Sequence, residues 1–254
     1  MSLLEIQYLG HATTQIRLGD KTFLTDPVFS RRVLCFGRRR ELPFRPEELP
    51  HCDGILLSHL HHDHLDLHSY KFISSKIPIF VPEGSAKAVE RFVNNPIIEL
   101  SRWATYPLDD TTTLYTVPMK HCGGRWPYGL CYRNTFGYIL EKKGGPTVFF
   151  AGDSAYGPQF KDSGKNRTID CALLPVGGYE PRWLFRRVHM NPQEAVQAAN
   201  DLQAKIMIPI HWGVFRFSLE STEKPKEELQ RIQLQQPEWR DRIKILEPGE
   251  SFSL

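Results

Sequence analysis

His59, His61, Asp63 and His64 crowd into six residues, within the run Ser58-His-Leu-His-His-Asp-His-Leu-Asp66. The preceding Ile55-Leu56-Leu57 reads as a buried strand, so the cluster opens where a strand ends and a helix is expected to begin. Side chains alternate along extended backbone, so positions 59, 61 and 63 project to one side, and a turn into a helix swings His64 toward the same space. Imidazoles and a carboxylate together suit zinc, with iron or manganese as competitors, because the set offers intermediate nitrogen donors and one hard oxygen. The plainer reading is a polar helix cap with surplus histidines, but four such groups together need a reason.

Four residues cannot complete two metal shells, and three isolated residues elsewhere share one placement, just after an apolar or β-branched run. His121 follows the run 111–119, Asp153 follows 147–151 beside Gly152, and His211 follows 206–210. Each run has strand composition, and glycine lets backbone approach a ligand closely. Any one of the three alone would more often be structural.

The string His59-Leu-His-His-Asp-His64 resembles the H-x-H-x-D-H signature of the metallo-β-lactamase superfamily. The resemblance implies that His59, His61 and His121 hold one metal, that Asp63, His64 and His211 hold a second, and that Asp153 bridges them. An aspartate at 153, where one group of antibiotic-cleaving lactamases carries cysteine, points to a binuclear hydrolase. Further strings narrow the resemblance: Gly10-His-Ala-Thr13, Leu24-Thr-Asp-Pro-Val-Phe-Ser30, Tyr179-Glu-Pro-Arg-Trp183, His189-Met-Asn-Pro192 and Ile210-His-Trp-Gly213 are similar to the N-acyl-phosphatidylethanolamine-hydrolysing phospholipase D group. It runs from about residue 7 to residue 250 and implies two Zn2+ ions, with Fe or Mn as alternatives, and a phospholipid or other small phosphodiester as substrate.

The chain of 254 residues is 41% hydrophobic, enough for one large core, and a single domain over 1–254 is expected. Strand candidates lie at 6–9, 14–18, 22–25, 55–58, 77–81, 113–117, 136–140, 147–151, 171–175, 206–210 and 243–246, with helices between them. The clearest helix opens at Asn191 as N-cap, with Pro192 first and Glu194 completing a capping box, and Ala195, Val196, Ala199 and Leu202 at helical spacing. Interleaving of this kind predicts α/β architecture with two sheets and outer helices, and the resemblance names the αββα sandwich.

The N-terminal stretch has Glu5 within its apolar run and no basic region, so a signal peptide is not expected. No apolar run reaches membrane-spanning length. Cys35, Cys52, Cys122, Cys131 and Cys171 show no paired spacing, which fits a reducing, cytoplasmic setting.

Paired zinc ions make water reactive at neutral pH and clamp phosphodiester oxygens. Asp63 is the residue expected to orient the nucleophile. His189, ahead of the capped helix, is expected to bind a phosphate oxygen or protonate the leaving group. Tyr179, Glu180, Arg182 and Trp183 are read as the rim, with a Glu180–Arg182 ion pair as the structural alternative, and Trp126, Tyr128 and Tyr132 as a pocket lining. His11 is read as hydrogen-bonding a ligand.

The net charge is +3, but six arginines (31, 32, 38, 39, 40 and 45) share one segment with Phe29, Val33, Leu34, Phe36, Leu42 and Phe44. That mixture suits an anionic membrane surface, such as the inner face of the cell membrane, as well as it suits a solvated loop. It would also suit a nucleic-acid backbone, but no RNA-binding module accompanies it. A phosphorylated-sugar lactonase and a metal-binding scaffold without turnover are the remaining alternatives. The resemblance suggests a homodimer, although no self-complementary surface is legible.

Overall fold

Strands whose every residue is apolar can be buried on both faces, and this chain stacks such strands into two sheets. The computed structural model describes residues 3–49, 51–125, 134–165 and 167–254. Trp126, Tyr128, Cys131 and Tyr132 lie outside them.

The strands are β1 (Leu4–Gly10), β2 (Thr13–Leu18), β3 (Lys21–Thr25), the short β4 (Arg32–Val33) and β5 (Phe36–Gly37), β6 (Gly54–Leu56), β7 (Ile79–Pro82), β8 (Ile97–Leu100), β9 (Thr105–Pro107), β10 (Thr112–Pro118), β11 (Phe136–Lys142), β12 (Thr147–Phe150), β13 (Cys171–Pro175), β14 (Ile206–Ile210) and β15 (Ser251–Ser253). One sheet has the order β15-β1-β2-β3-β6-β7-β8 and the other β14-β13-β12-β11-β10-β9.

Alternation along each strand makes three apolar layers. Val148, Phe150 and Leu173 of the second sheet meet Leu56, Phe80 and Ile6 of the first in the central layer. The intervening Phe149, Ala172 and Leu174 point outward. There they are covered by α2 (Gln159–Gly164), α4 (Pro192–Asp201) and α5 (Lys224–Gln235), through Phe160, Val196 and Leu229. Ile55, Leu57 and Ile79 of the first sheet are covered by Tyr70, Ile73 and α1 (Ala86–Glu90). This is the αββα sandwich.

The cap of α4 forms as its sequence predicts: Asn191 Oδ1 accepts from Glu194 N at 2.8 Å, and Glu194 Oε2 accepts from Asn191 N at 3.1 Å. Such a reciprocal cap contributes about 1 kcal/mol.

Two expectations are corrected. No helix starts at His64: the chain makes a tight turn in which His61 O accepts from both His64 N and Leu65 N, because the metal-site side chains hold the segment before it can wind. The stretch 243–246 forms no strand, only an isolated bridge from Ile243 to Met207, since a single pairing suffices to seat it against β14. Strands β8, β9 and β15 were not expected; apart from the buried Leu100 their residues are partly or fully exposed, and they lack the buried alternation that announces a strand.

Strand direction positions the site. Antiparallel pairing of β1 with β2 and of β2 with β3 makes β1 parallel to β3, and β3 is parallel to β6. In the second sheet β12, β13 and β14 are mutually parallel, and β10 shares their direction because β11 is antiparallel to both β10 and β12. Residues immediately beyond the C-terminal ends of β1, β3, β6, β10, β12 and β14 therefore reach one edge of the sandwich.

Candidate metal centre

At that edge the seven side chains that the signature points to converge in two sets. His121 Nε2 lies 3.2 Å from His61 Nδ1 and 3.8 Å from Asp153 Oδ2, and His59 Nε2 lies 4.0 Å from the same oxygen. On the other side His64 Nε2 is 3.2 Å from Asp153 Oδ2 and 3.7 Å from Asp63 Oδ2, while His211 Nε2 is 3.4 Å from Asp63 Oδ2 and 3.3 Å from Asp153 Oδ1. Asp153 belongs to both sets, one oxygen facing His59, His121 and His64, the other His211.

The backbone is bent to bring them there. His11, Asp26 and His211 adopt positive φ angles of 58°, 30° and 61°, each costing on the order of 1–3 kcal/mol. Such conformations cluster where function over-determines the geometry. Gly152, at φ 61°, passes so near Ser58 that a Cβ would lie 2.4 Å from the serine Cβ. The close approach expected of this glycine is to the segment carrying His59.

Each imidazole is oriented from behind. Ser58 Oγ donates to Asp26 Oδ2 at 2.6 Å and is 2.9 Å from His59 Nδ1, so His59 Nδ1–H donates to the hydroxyl. His64 Nδ1 donates to Asp26 Oδ2 at 2.6 Å, and His121 Nδ1 to Val188 O at 2.8 Å. In all three rings Nε2 is thereby turned into the centre, and Nδ1 is the nitrogen whose proton a metal-bound imidazole keeps. Asp26, at the end of β3, is the residue that sequence reasoning missed: it lay inside a quoted string, but its partners are 32 and 38 positions away. His11 Nε2 is 3.0 Å from Asp63 Oδ2, the hydrogen bond to a ligand expected of it.

The electrostatics are those of a site organised around cations. Burial, together with His64, His61 and His121, holds His59 well below the usual histidine range, and burial foremost lowers His121 to about 4, His189 to about 3 and His11 to about 3. Burial also opposes charge on His64, but Asp153, Asp63 and Asp26 outweigh it and push it well above its ordinary value. His211 rises for the same reason, with burial outweighed by Asp153 and Asp63. Burial opposes charge on Asp153 and on the partly buried Asp63, yet the surrounding histidines hold both well below the usual carboxylate range.

A metal fits this donor set. Buried His59 Nε2, His64 Nε2, Asp153 Oδ1, His189 Nδ1, His11 Nδ1 and both ring nitrogens of His211 have no hydrogen-bond partner among the described residues. At about 1–3 kcal/mol for each unsatisfied buried group, their sum rivals the ~5–15 kcal/mol stability of a whole domain. A cation in each set would satisfy His59 Nε2, His64 Nε2, Asp153 Oδ1 and one nitrogen of His211 among them. His59, His61, His121 and Asp153 place donor atoms all within 4.8 Å of one another, as do His11, Asp63, His64 and His211, and also Asp153, His189 and His211.

The centre opens into a cleft of about 160 Å3 lined by His61, Asp63, Asp153, Gly178, Phe185, His189, His211, Phe217 and Ser218. His189 is therefore in the cleft, with Nδ1 3.8 Å from Asp153 Oδ2. No lysine or arginine is among these residues. Tyr179, Glu180, Arg182 and Trp183 do not line it. Tyr179 is buried with its hydroxyl donating to Glu228 at 3.0 Å, and Trp183 is 78% exposed. Glu180 and Arg182 do not pair with each other: Glu180 binds Lys224, while Arg182 grips Glu194 at 2.7 and 2.9 Å and donates to His189 O at 3.1 Å. These residues brace the wall that carries Phe185 and His189. The partners Glu194, Glu228 and Lys224 are remote in sequence, which hid that role.

Two facing sheets with such a donor cluster at the C-terminal ends of their parallel strands define a metal-dependent hydrolase of the metallo-β-lactamase type. The chain belongs to that superfamily: the family model described as "Beta-lactamase superfamily domain" matches residues 21–212. The chain is 32% identical over 237 residues to the mitochondrial N-acyl-phosphatidylethanolamine-hydrolyzing phospholipase D of Saccharomyces cerevisiae, covering 89% of this chain and 51% of the relative. It is 32% identical over 243 residues to N-acyl-phosphatidylethanolamine-hydrolyzing phospholipase D 1 of Caenorhabditis elegans, covering 87% and 68%. It thus spans about half the length of the yeast relative. Among solved structures, an isothiocyanate hydrolase from Delia radicum gut bacteria shares the fold, with TM-score 0.81 and 20% identity over 98% of this chain and 99% of that one.

Proposed function

We propose that the chain is a two-metal hydrolase, zinc-dependent with iron or manganese as substitutes, that cleaves a phosphodiester in an N-acyl-phosphatidylethanolamine-like glycerophospholipid. The observation that carries this reading is the sharing of Asp153 between two adjacent donor sets, the layout needed for ions about 3.5–4 Å apart. Metals bound there would supply Lewis acidity toward a phosphoryl oxygen and lower the pKa of an attacking water.

The chain's own residues do the rest. Asp63, fixed through Oδ2 by His11, lines the cleft and is placed to orient the nucleophile or take its proton. His189, neutral at physiological pH because burial depresses it, offers a hydrogen bond to a phosphoryl or leaving-group oxygen rather than acting as a cation. Phe185 and Phe217 narrow the cleft and exclude water around the reacting atoms.

The surroundings support a lipid surface as the source of substrate. Arg40 is paired with Glu223 and Glu247, and Arg38 donates to the carbonyls of Ser30 and Val28. Arg31, Arg32 and Arg45 are exposed and, among the described residues, outside any ion pair. Four of the largest exposed apolar side chains flank the cleft: Leu34 beside Phe36, which touches Phe217 at 4.9 Å between ring centroids, Leu219, and Trp183 with Leu184. Basic and apolar groups together suit an anionic bilayer. Among the described residues no helix is long and apolar enough to cross a membrane. A cytoplasmic location with peripheral contact to the inner membrane surface is part of the proposal.

The deciding experiment is a substrate panel with and without chelator: N-acyl-phosphatidylethanolamine, bis(p-nitrophenyl) phosphate, a phosphorylated-sugar lactone and an oligonucleotide. Chelator-sensitive cleavage of the lipid and the small diester supports the reading. Preference for the lactone or the oligonucleotide overturns the substrate, and no turnover by metal-loaded protein leaves a scaffold.

A further inference from the structure

Two segments distant in sequence form facing walls of the cleft. Gly178 belongs to the turn after β13, and Phe217 and Ser218 belong to the loop after β14. One buried side chain joins them. Glu220 Oε1 accepts from Gly178 N at 2.7 Å and from Tyr179 N at 3.1 Å, and its Oε2 accepts from Glu180 N at 3.0 Å. Three successive amides turned to one side make a concave seat for an anion, and here the chain's own carboxylate fills it. Leu219 N returns a bond to Glu180 O at 3.2 Å, and Arg216 closes the loop through Glu220 O at 3.2 Å and Leu219 O at 2.8 Å.

Both ends of this clamp bear on reacting groups. A Cβ on Gly178, at φ +76°, would lie 3.3 Å from His189 Nδ1 and 3.5 Å from His211 Cε1, so the turn lies beside both rings with room for no side chain between. At the other end Phe217 packs its ring 5.6 Å from that of His11, the residue hydrogen-bonded to Asp63. Glu220 itself is 6% exposed and does not line the cleft.

We infer that Glu220 is a positioning residue that ties the 178–180 turn to the 217–220 loop and so sets the separation of Gly178 and His189 from Phe217. A carboxylate is needed because all three partners are donors, and an amide nitrogen in its place cannot accept.

The test compares metal-loaded wild type with Glu220→Gln, which keeps the shape, and Glu220→Ala. Hydrogen exchange should show the amides of 178–180 and 214–219 losing protection together in Glu220→Gln, while 58–64 keeps its protection and metal analysis still finds the wild-type content. With bis(p-nitrophenyl) phosphate, KM should rise about tenfold while kcat stays within about threefold, the split expected when substrate placement rather than chemistry is loosened. Unchanged protection in the two segments overturns the inference, as does loss of protection throughout the fold or a fall in kcat with KM unmoved. The inference goes beyond the proposed substrate. If wild type fails to hydrolyse any phosphodiester, that reading falls, and the exchange pattern still decides the clamp.

Discussion

Asp26 Oδ2 accepts a hydrogen bond from His64 Nδ1 at 2.6 Å and another from Ser58 Oγ at the same distance, so one carboxylate fixes the tautomers of His64 and, through Ser58, of His59. Replacing it touches both donor sets without removing a ligand. Asp26→Asn should weaken metal affinity about 10–100-fold, measured by competition with a chromophoric chelator. Wild-type affinity in a folded Asp26→Asn protein would remove the orienting role.

Asp63 sits between His11 and the second donor set. Asp63→Asn should reduce turnover by about 10²–10⁴ and lower the metal content of the second set. A variant retaining full metal and full turnover would sink the assignment.

His189 is close to Asp153 and His211 and could also be drawn into coordination. The expected result for His189→Ala is a loss of about 100-fold or more in kcat with metal content unchanged by mass spectrometry. Loss of metal would instead make it a ligand.

Metal-free protein should be most stable near neutrality. Below the ordinary histidine pKa of about 6.5, unfolded chain protonates histidines that stay neutral when folded, His59, His121, His189 and His11, so stability falls as pH drops. Above it, folded His64 and His211 hold protons that the unfolded chain has released, so stability declines as pH rises through their elevated values. Metal loading displaces those two protons and should abolish the alkaline decline while leaving the acid one. Thermal melts from pH 5 to about 9, with and without zinc, check this; an alkaline decline that persists in loaded protein contradicts it.

Vesicle co-sedimentation tests the lipid-facing rim. Wild type should favour phosphatidylserine-containing vesicles over phosphatidylcholine, less so at high salt, and the pair Arg31→Ser and Arg32→Ser should weaken binding about thirtyfold, at ~1 kcal/mol per arginine. Binding indifferent to anionic lipid would refute membrane contact, and retention by a protein partner instead would redirect it.

Much of the centre is legible in the sequence because four of its side chains, drawn from both sets, lie within six residues and the others follow apolar runs. His59, His61 and His64 need only local spacing, and Asp153 and His211 need only a strand before them. Asp26 and Glu220 are different: each is an ordinary acid whose partners, Ser58 and His64 for one, the 178–180 amides for the other, are brought near only by the pairing of parallel strands, β3 with β6 and β13 with β14. The Tyr179-Glu-Pro-Arg-Trp183 string illustrates the same limit. Its residue types suggested substrate contact, whereas Arg182 is occupied by Glu194 and Tyr179 by Glu228. Strand edges such as β15 escaped because an exposed strand needs no apolar alternation.

Among the described residues the cleft is lined without lysine or arginine, which bears on when it can hold an anion. Lacking ions, its ionised Asp63 and Asp153 are offset by protonated His64 and His211, which leaves no surplus positive charge to attract a phosphate ester. The charge that holds an anion at this edge would therefore arrive only with the cations, so that affinity and turnover would switch on together.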